Sequence, residues 1–310
     1  MAKIGNIKIA PDLPPVDQFI QMLESKGIDT PKDGILMDGQ IHRYNRAGAS
    51  RDDTALAYYL TEDVDGPWGW HKDWSTGEVT PFRSTGSSRL TSEELEAKIK
   101  RQIQKIEEDT ISRNLKAAKK ADYIWNKYNE ADSHPYLDVK KIKSHGCKLN
   151  DKGMLLIPKY NIDGEVVSLE FVDPEPVDGR FKKVSMRDGL SIGAFTMVGD
   201  DAFHDADTVY VAEGFATSAT IFEITGKPAV ATFSAQNMPT VANEIIEIVD
   251  GKKVIVVADN DEGGIGLVYA KDAAKILEAD VILTPKIDGC KGTDVSDHYL
   301  ADADTGWLTW

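Results

Sequence analysis

Cysteine is scarce: Cys147 and Cys290 are the only two in 310 residues, and they stand far apart. That count excludes a disulfide scaffold and a four-cysteine zinc ribbon, and it suits a reducing, cytoplasmic setting. No run of about 18 apolar residues occurs, which excludes a helical membrane span. The opening Met1-Ala2-Lys3-Ile4-Gly5-Asn6 lacks the apolar stretch of a secretory signal. A Walker A sequence is missing, so the chain is not expected to be a P-loop ATPase or helicase. Gly263, Gly264 and Gly266 do not form a dinucleotide fingerprint, and an EF-hand loop fails at Ala270, where a Glu is required. Basic residues are in deficit, 36 against 51 acidic ones, for a net charge of −15. Such a surface does not favour tight, non-specific nucleic-acid binding, whose affinity comes mostly from phosphate contacts. The deficit is concentrated: residues 201–310 hold 7 basic and 19 acidic residues.

What is present is ordinary soluble composition, 41% hydrophobic and 28% charged. The length predicts two domains, with room for a connector. Residues 1–90 read as a small mixed α/β domain. Pro14-Pro15 opens a helix through Phe19, Met22 and Leu23 that stops at Gly27. Short strands are expected at Ile35–Met37 and Ile41–Tyr44, followed by the tryptophan-rich tract Gly66–Trp74 and a linker at Ser84–Ser88. Thr91 with Glu94 makes a capping box for a long helical connector over 91–131. Leu95, Ile99, Ile103 and Ile106 recur at three or four, as do Ile111, Leu115 and Ala118, giving one packed face. About 40 residues would reach about 60 Å unbroken, and a bend is expected near Glu107–Thr110.

Residues 132–200 form a further small α+β subdomain, with a hairpin at Leu155–Pro158 and Val166–Phe171 around Asp163-Gly164. In residues 201–310, strands at 208–212, 228–232, 254–258 and 281–284 alternate with helices, which predicts a parallel sheet with flanking helices. In such sheets ligands bind outside the carboxyl ends of strands. The first strand runs into Glu213-Gly214 and the third into Asp259-Asn260-Asp261; Asp294 and Asp297 follow the fourth. Carboxylates crowded on one rim repel, and a hard divalent cation with oxygen ligands relieves that repulsion. Mg²⁺ suits this best, because it needs few protein carboxylates and keeps its waters. Two ions could clamp the attacking and leaving oxygens of a phosphoryl transfer. A lone strand-end acid is more often a solvated turn or a cap; the combination and its spacing carry the reading.

Val209–Gly214 followed by Val256–Asp261 resembles the Toprim domain of primases, topoisomerases and certain nucleases. Gly292-Thr293-Asp294-Val295-Ser296-Asp297 looks like the tail of phage and plasmid primases. His134–Leu137, Leu155–Pro158 and Gly179–Lys183 look like the segment that precedes Toprim in those proteins, so the resemblance covers about residues 120–300. It implies a Toprim core and a DNA primase that makes short RNA primers on single-stranded DNA from ribonucleoside triphosphates. The setting it implies is the cytoplasm of a bacterial cell, on a phage or plasmid replicon. Glu213 would match the acid-base or metal-binding glutamate, and Asp259 and Asp261 the ligands of Mg²⁺ or Mn²⁺. Asp294 and Asp297 would join the metal set. Lys182 and Lys183 would match the basic residues that hold template or nucleotide phosphate. With no helicase in the chain, a separate replicative helicase is the expected partner. The rival readings are a Toprim nuclease and a non-catalytic Toprim protein that binds a replication partner.

Other features carry two readings each. Lys140, Lys141, Lys143, Lys159, Lys182, Lys183 and Arg187 either line a phosphate track or form a solvated basic face. Trp68, Trp70 and Trp74 either stack single-stranded bases or fill the core of a small β-domain, and the core is favoured. His42, His71, His134 and His145 lack zinc-ligand spacing, so no zinc is expected and residues 1–90 stand where bacterial primases carry a zinc ribbon. Ser234 and Asn237 either cap a helix or line the site.

Overall fold

The structure, a computed structural model, describes residues 12–46, 55–286 and 292–308. Cys290 and the N-terminal hexapeptide lie outside the described residues. The chain divides into two compact units, Met1–Asp109 and Thr110–Trp310.

The first unit begins with α1 (Pro15–Ser25), which Pro15 opens and which buries Phe19, Met22 and Leu23. Four antiparallel strands follow in the order β1-β2-β3-β4: Ile41–Tyr44, Leu56–Asp63, Gly66–Asp73 and Val79–Arg83. Ile35–Met37 forms no strand; the segment lies in coil, with the Leu36 amide bonded to the Tyr58 hydroxyl. The two faces of the sheet bury different clusters. Phe19, Leu23, Tyr58, Leu60 and Phe82 pack on the α1 side. Ala57, Trp68, Trp70 and Leu90 pack with Leu95 and Ile99 on the other. Trp70 and Trp68 are therefore core, 0% and 6% exposed. Their indole N–H groups find acceptors, Trp68 on Asp63 and Trp70 on Gln102, both at 2.8 Å. Trp74, by contrast, is half-buried under the Lys72 ammonium with its Nε1 unpartnered among the described residues. Gly69 is required beside them, since a Cβ there would lie 2.2 Å from the Tyr59 carbonyl oxygen. Ser84–Ser88 is a packed turn rather than a free linker. The Ser84 amide bonds the Pro67 carbonyl, and the Ser87 hydroxyl donates to the Ser84 hydroxyl at 2.8 Å.

His71 is 3% exposed, and burial pushes its pKa below the ordinary 6.5, against the pull of Asp73 and Glu78. His134, in the second unit, is lowered by burial in the same way. For a histidine depressed in the folded state, the stability it allows is complete above pH 6.5 and falls away as the pH drops through the folded value. Melting of the first unit, which holds His71, is accordingly expected to shift down below about pH 6.5, with His71→Gln flattening part of that limb. A His71→Gln profile that superimposes on the wild type between pH 5 and 7 would count against this assignment.

The helix α2 (Ser92–Lys127) is continuous through the predicted bend, and the unit boundary falls inside it. The Thr91–Glu94 capping box is formed in both directions, the Glu94 amide on Thr91 Oγ1 and the Thr91 amide on Glu94 Oε2. Its packed face differs from the sequence expectation. Leu95 and Ile99 are buried in the first unit, but Ile111 and Leu115 are exposed at 58% and 61%. In the second unit the helix buries Ala121 and packs Ile124 and Trp125 beside Val166, Leu169 and Met186. The apolar stripe thus serves two separate patches, and Ile111 and Leu115 between them stay exposed.

In the second unit α3 (Pro135–Lys140) precedes a sheet in the order β5-β6-β7-β8: Lys148–Leu149, Leu155–Tyr160, Val166–Val172 and Lys183–Ser185. The β6–β7 hairpin has Gly164 at φ 78°, the left-handed turn that Asp-Gly signals. The C-terminal sheet has the order β13-β12-β10-β11-β9 and is parallel except for β9 (Thr196–Val198). Its parallel members are β10 (Thr208–Ala212), β11 (Ala229–Ala231), β12 (Lys253–Ala258) and β13 (Asp280–Leu283), interleaved with α4 (Phe215–Thr225), α5 (Met238–Ile245) and α6 (Ile265–Leu277); α7 (Val295–Leu300) follows. Side chains alternate across it with the period of two that a strand imposes. Val209, Val211, Val254 and Val256 face the cluster of α5 and α6. Tyr210, Ala212, Ile255 and Val257 face Ile221, Val295 and Leu308. Burial on both faces leaves only the strand ends for polar groups. Among the described residues no helix is long and apolar enough to cross a membrane.

Candidate active site

The parallel strands β10 and β12 are neighbours, and both end on acids at the same edge. Glu213 leaves β10 just before the N-terminus of α4, and Asp259 and Asp261 leave β12 ahead of α6. The loop after β12 is pinned by Asn260, whose amide N–H bonds the Thr293 carbonyl at 2.9 Å and whose side chain bonds the Thr284 carbonyl at 2.8 Å. That clamp also draws in the segment carrying Asp294, the N-cap of α7, which accepts the Asp297 amide at 2.8 Å.

The carboxylates sense one another. Burial, then Asp294, Glu213, Asp261 and Asp297, push the Asp259 carboxyl from 3.8 up to about 8. Glu213 is also raised, by burial first and then by Asp261 and Asp294, against one stabilising bond from the Ala235 amide. Asp259 Oδ1 and Asp261 Oδ1 are buried without any hydrogen-bond partner, which is costly unless something supplies positive charge. Among the described residues no three His, Cys, Asp or Glu side chains converge into a ready metal cage. Two orphaned carboxylate oxygens in a cluster that favours protonation nonetheless fit a hard divalent cation that completes its shell with water. Asp259 and Asp261 are the residues that would hold it, with Glu213 adjoining. Asp297, at the same rim, has its oxygens engaged by Lys140 Nζ at 3.4 Å and the Thr293 amide at 3.0 Å.

The lysines separate into distinct roles. Lys183 bonds the Tyr136 hydroxyl at 2.9 Å. Desolvation opposes its charge, yet Tyr136, Glu170 and Asp294 outweigh it and raise its pKa. Lys159 is 2% exposed, bonds Ser185 Oγ at 3.0 Å and lies 4.3 Å from the Phe233 ring centroid. Burial lowers its pKa, with Glu170 opposing. Lys141 is the exposed left-handed cap that ends α3. Lys182 is exposed, and the Arg187 side chain is 97% exposed with Asp188 3.9 Å away.

Sequence reasoning missed Phe233. It follows β11 with φ 65°, a left-handed backbone rare for an aromatic residue. Its amide bonds the Glu213 carbonyl at 2.8 Å, and the same turn presents the Ala235 amide to the Glu213 carboxylate. Neither Gly nor Asn marks the position, so no sequence signal announced it. Asn237 is structural: buried, it bonds the Gly193 amide and the Ala194 and Thr232 carbonyls. Ser234 is exposed and makes no capping bond.

Strand-end Glu and Asp-x-Asp on adjacent parallel strands define the class, and residues 208–303 match the model of the Toprim domain. This part of the chain is a Toprim domain. Along most of its length the chain is similar to two proteins of Escherichia coli named DNA primase TraC. One is 26% identical over 291 residues, covering 88% of this chain and 27% of the relative. The other is 25% identical over 266 residues, covering 81% and 18%. The chain therefore spans about a quarter or less of the length of these curated relatives. Solved structures similar to it include the DnaG catalytic core, with 13% identity and a TM-score of 0.45, covering 62% of this chain and 78% of that one. Another is the DnaG primase catalytic domain bound to single-stranded DNA, with 11% identity and a TM-score of 0.43, covering 64% and 78%.

Proposed function

We propose that this chain is a primase of the plasmid or phage type, which joins ribonucleotides on a single-stranded DNA template. The observation that carries the reading is the pair of orphaned oxygens on Asp259 and Asp261 beside Glu213, at the strand ends of a Toprim sheet. Mg²⁺ or Mn²⁺ held there would lower the pKa of an attacking 3′-hydroxyl and offset charge on a triphosphate. The chain's own groups serve the same reaction. Glu213, whose carboxyl is raised by burial and by Asp261 and Asp294, is the group placed to take up the hydroxyl proton. Lys183, kept charged by Tyr136 and Asp294, offers an ammonium to phosphate, and Lys182 stands next to it. Lys159 donates to Ser185 Oγ and lies against the Phe233 ring, tying β6 to β8, the strand that carries Lys183. A separate helicase would expose the template in the cytoplasm of the host cell.

The test is primer synthesis on single-stranded DNA with labelled ribonucleotides and Mg²⁺ or Mn²⁺. Wild-type protein should yield short products. Glu213→Gln and Asp259→Asn should fall below about 1% of that yield, since even the outer partners of a metal site are worth about 10–100-fold. Ion-dependent cutting of the template without synthesis would make the chain a Toprim nuclease. Neither activity from folded protein would leave a binding role.

A further inference from the structure

Two halves of the carboxylate rim differ in what already neutralises them. On the β12 side, Asp259 and Asp261 each bury an oxygen with no partner. On the α7 side three carboxylate oxygens have partners. Asp297 Oδ2 accepts the Thr293 amide at 3.0 Å, and Asp294 Oδ1 accepts the Asp297 amide at 2.8 Å. Asp297 Oδ1 faces the Lys140 ammonium at 3.4 Å, across 157 positions of sequence.

The fold places that ammonium deliberately. His134 caps α3 by accepting the Tyr136 amide on Nδ1 at 3.1 Å, and Pro135 fixes the first turn. Lys141 turns left-handed at φ 53°, so Lys140 is the last helical residue. A cation at a helix C-terminus is favoured by the helix dipole, although in so short a helix the effect is small. Both side chains of the pair are about three-quarters covered, 22% and 28% exposed, so water screens the contact less than on an open surface. Asp297 is in turn close enough for its charge to act on Asp259.

We propose that Lys140 is the resident cation of the α7 half of the rim and takes the place of a second divalent ion. The site then binds one ion, on Asp259 and Asp261. This rests on the metal reading given above and narrows it from two ions to one ion and an ammonium. A lysine in this place neutralises negative charge and donates hydrogen bonds to phosphate oxygens, but it is no Lewis acid. The α7 side is thereby fitted to bind and release a charged phosphate group rather than to activate a nucleophile.

Counting Mn²⁺ on the whole chain by titration calorimetry, with electron paramagnetic resonance of the free ion, tests this without any assay of synthesis. Wild-type protein should bind one ion. Lys140→Met and Lys140→Gln, which uncover Asp297 with little change in metal-free melting, should bind two. Lys140→Met combined with Asp297→Asn should return to one, and Lys140→Arg should stay at one. A purely structural ion pair would not move the count. Two ions in the wild type, or one in folded Lys140→Met and Lys140→Gln, would overturn the proposal while leaving the metal reading intact. No ion in any variant would overturn both.

Discussion

Without divalent ions, Asp259→Asn is expected to melt about 4–8 °C higher than the wild type at pH 8, and to lose the rise in melting temperature that Mg²⁺ or Mn²⁺ gives the wild type. The gain follows from the sign of the carboxyl's displacement. Burial and four neighbouring acids raise Asp259 from 3.8 to about 8 in the folded chain. The native state therefore holds this proton more tightly than the unfolded chain, and stability falls as the pH climbs from about 4 to about 8. Above that window both states are ionised and the loss is complete. A displacement of this size corresponds to at most roughly 6 kcal/mol; screening at a partly exposed carboxyl leaves about 2 kcal/mol. Asparagine keeps the shape and removes the titration, so the difference between mutant and wild type should widen with pH and level off near pH 8. The same residue would then limit stability without the ion and be needed for stabilisation by it. Thermal scans from pH 5 to 9, with chelator and with 5–10 Mn²⁺ equivalents (roughly saturating), read both effects. A mutant that melts below the wild type at every pH would show that Asp259 is held by a contact not seen here.

Trp70→Ala should remove about 3–5 kcal/mol from the first unit. The indole is fully buried, stacks at 14° on Tyr59 with centroids 6.0 Å apart, and donates to Gln102 on α2. Truncation leaves a cavity among Ala57, Leu90, Leu95 and Ile99 and strands the Gln102 carbonyl. Urea unfolding followed by hydrogen exchange should show the loss confined to Met1–Asp109, with protection in the C-terminal sheet retained. Were the tryptophans instead a platform for bases, the same substitution would weaken binding of single-stranded DNA and leave the urea midpoint nearly unchanged.

Much of the site was legible because the strands that carry it are continuous apolar runs ending on acids. Val209–Ala212 before Glu213 and Val254–Ala258 before Asp259 admit little besides buried parallel strands. The capping box at Thr91 was equally plain, since its two bonds depend on residues three apart. What escaped was set by tertiary context. Ile111 and Leu115 keep the helical period yet stay exposed, because periodicity reports helix formation and not what covers the face. Ile35–Met37 is apolar enough for a strand but pairs with no strand among the described residues. Phe233 takes a left-handed backbone that only its surroundings can impose, with Glu213 on one side and Lys159 on the other. Spacing groups Asp297 with the rim, but the engagement of its oxygens by Lys140 and Thr293 is set by the fold.

The continuity of α2 bears on where the chain can be cut. A fragment beginning at Thr110 would discard the Thr91–Glu94 box and start in mid-helix with four free N–H groups. Its first two turns would carry Ile111 and Leu115, which bury little and so would fray until Ala121 meets the β6–β7 hairpin. A fragment beginning at Thr91 would keep the cap but bare Leu95 and Ile99 to water, inviting aggregation. Neither start is clean. Expression of the second unit alone therefore calls for the Thr91 start with polar replacements at Leu95, Ile99 and Ile103, turning a shared helix into a self-sufficient one.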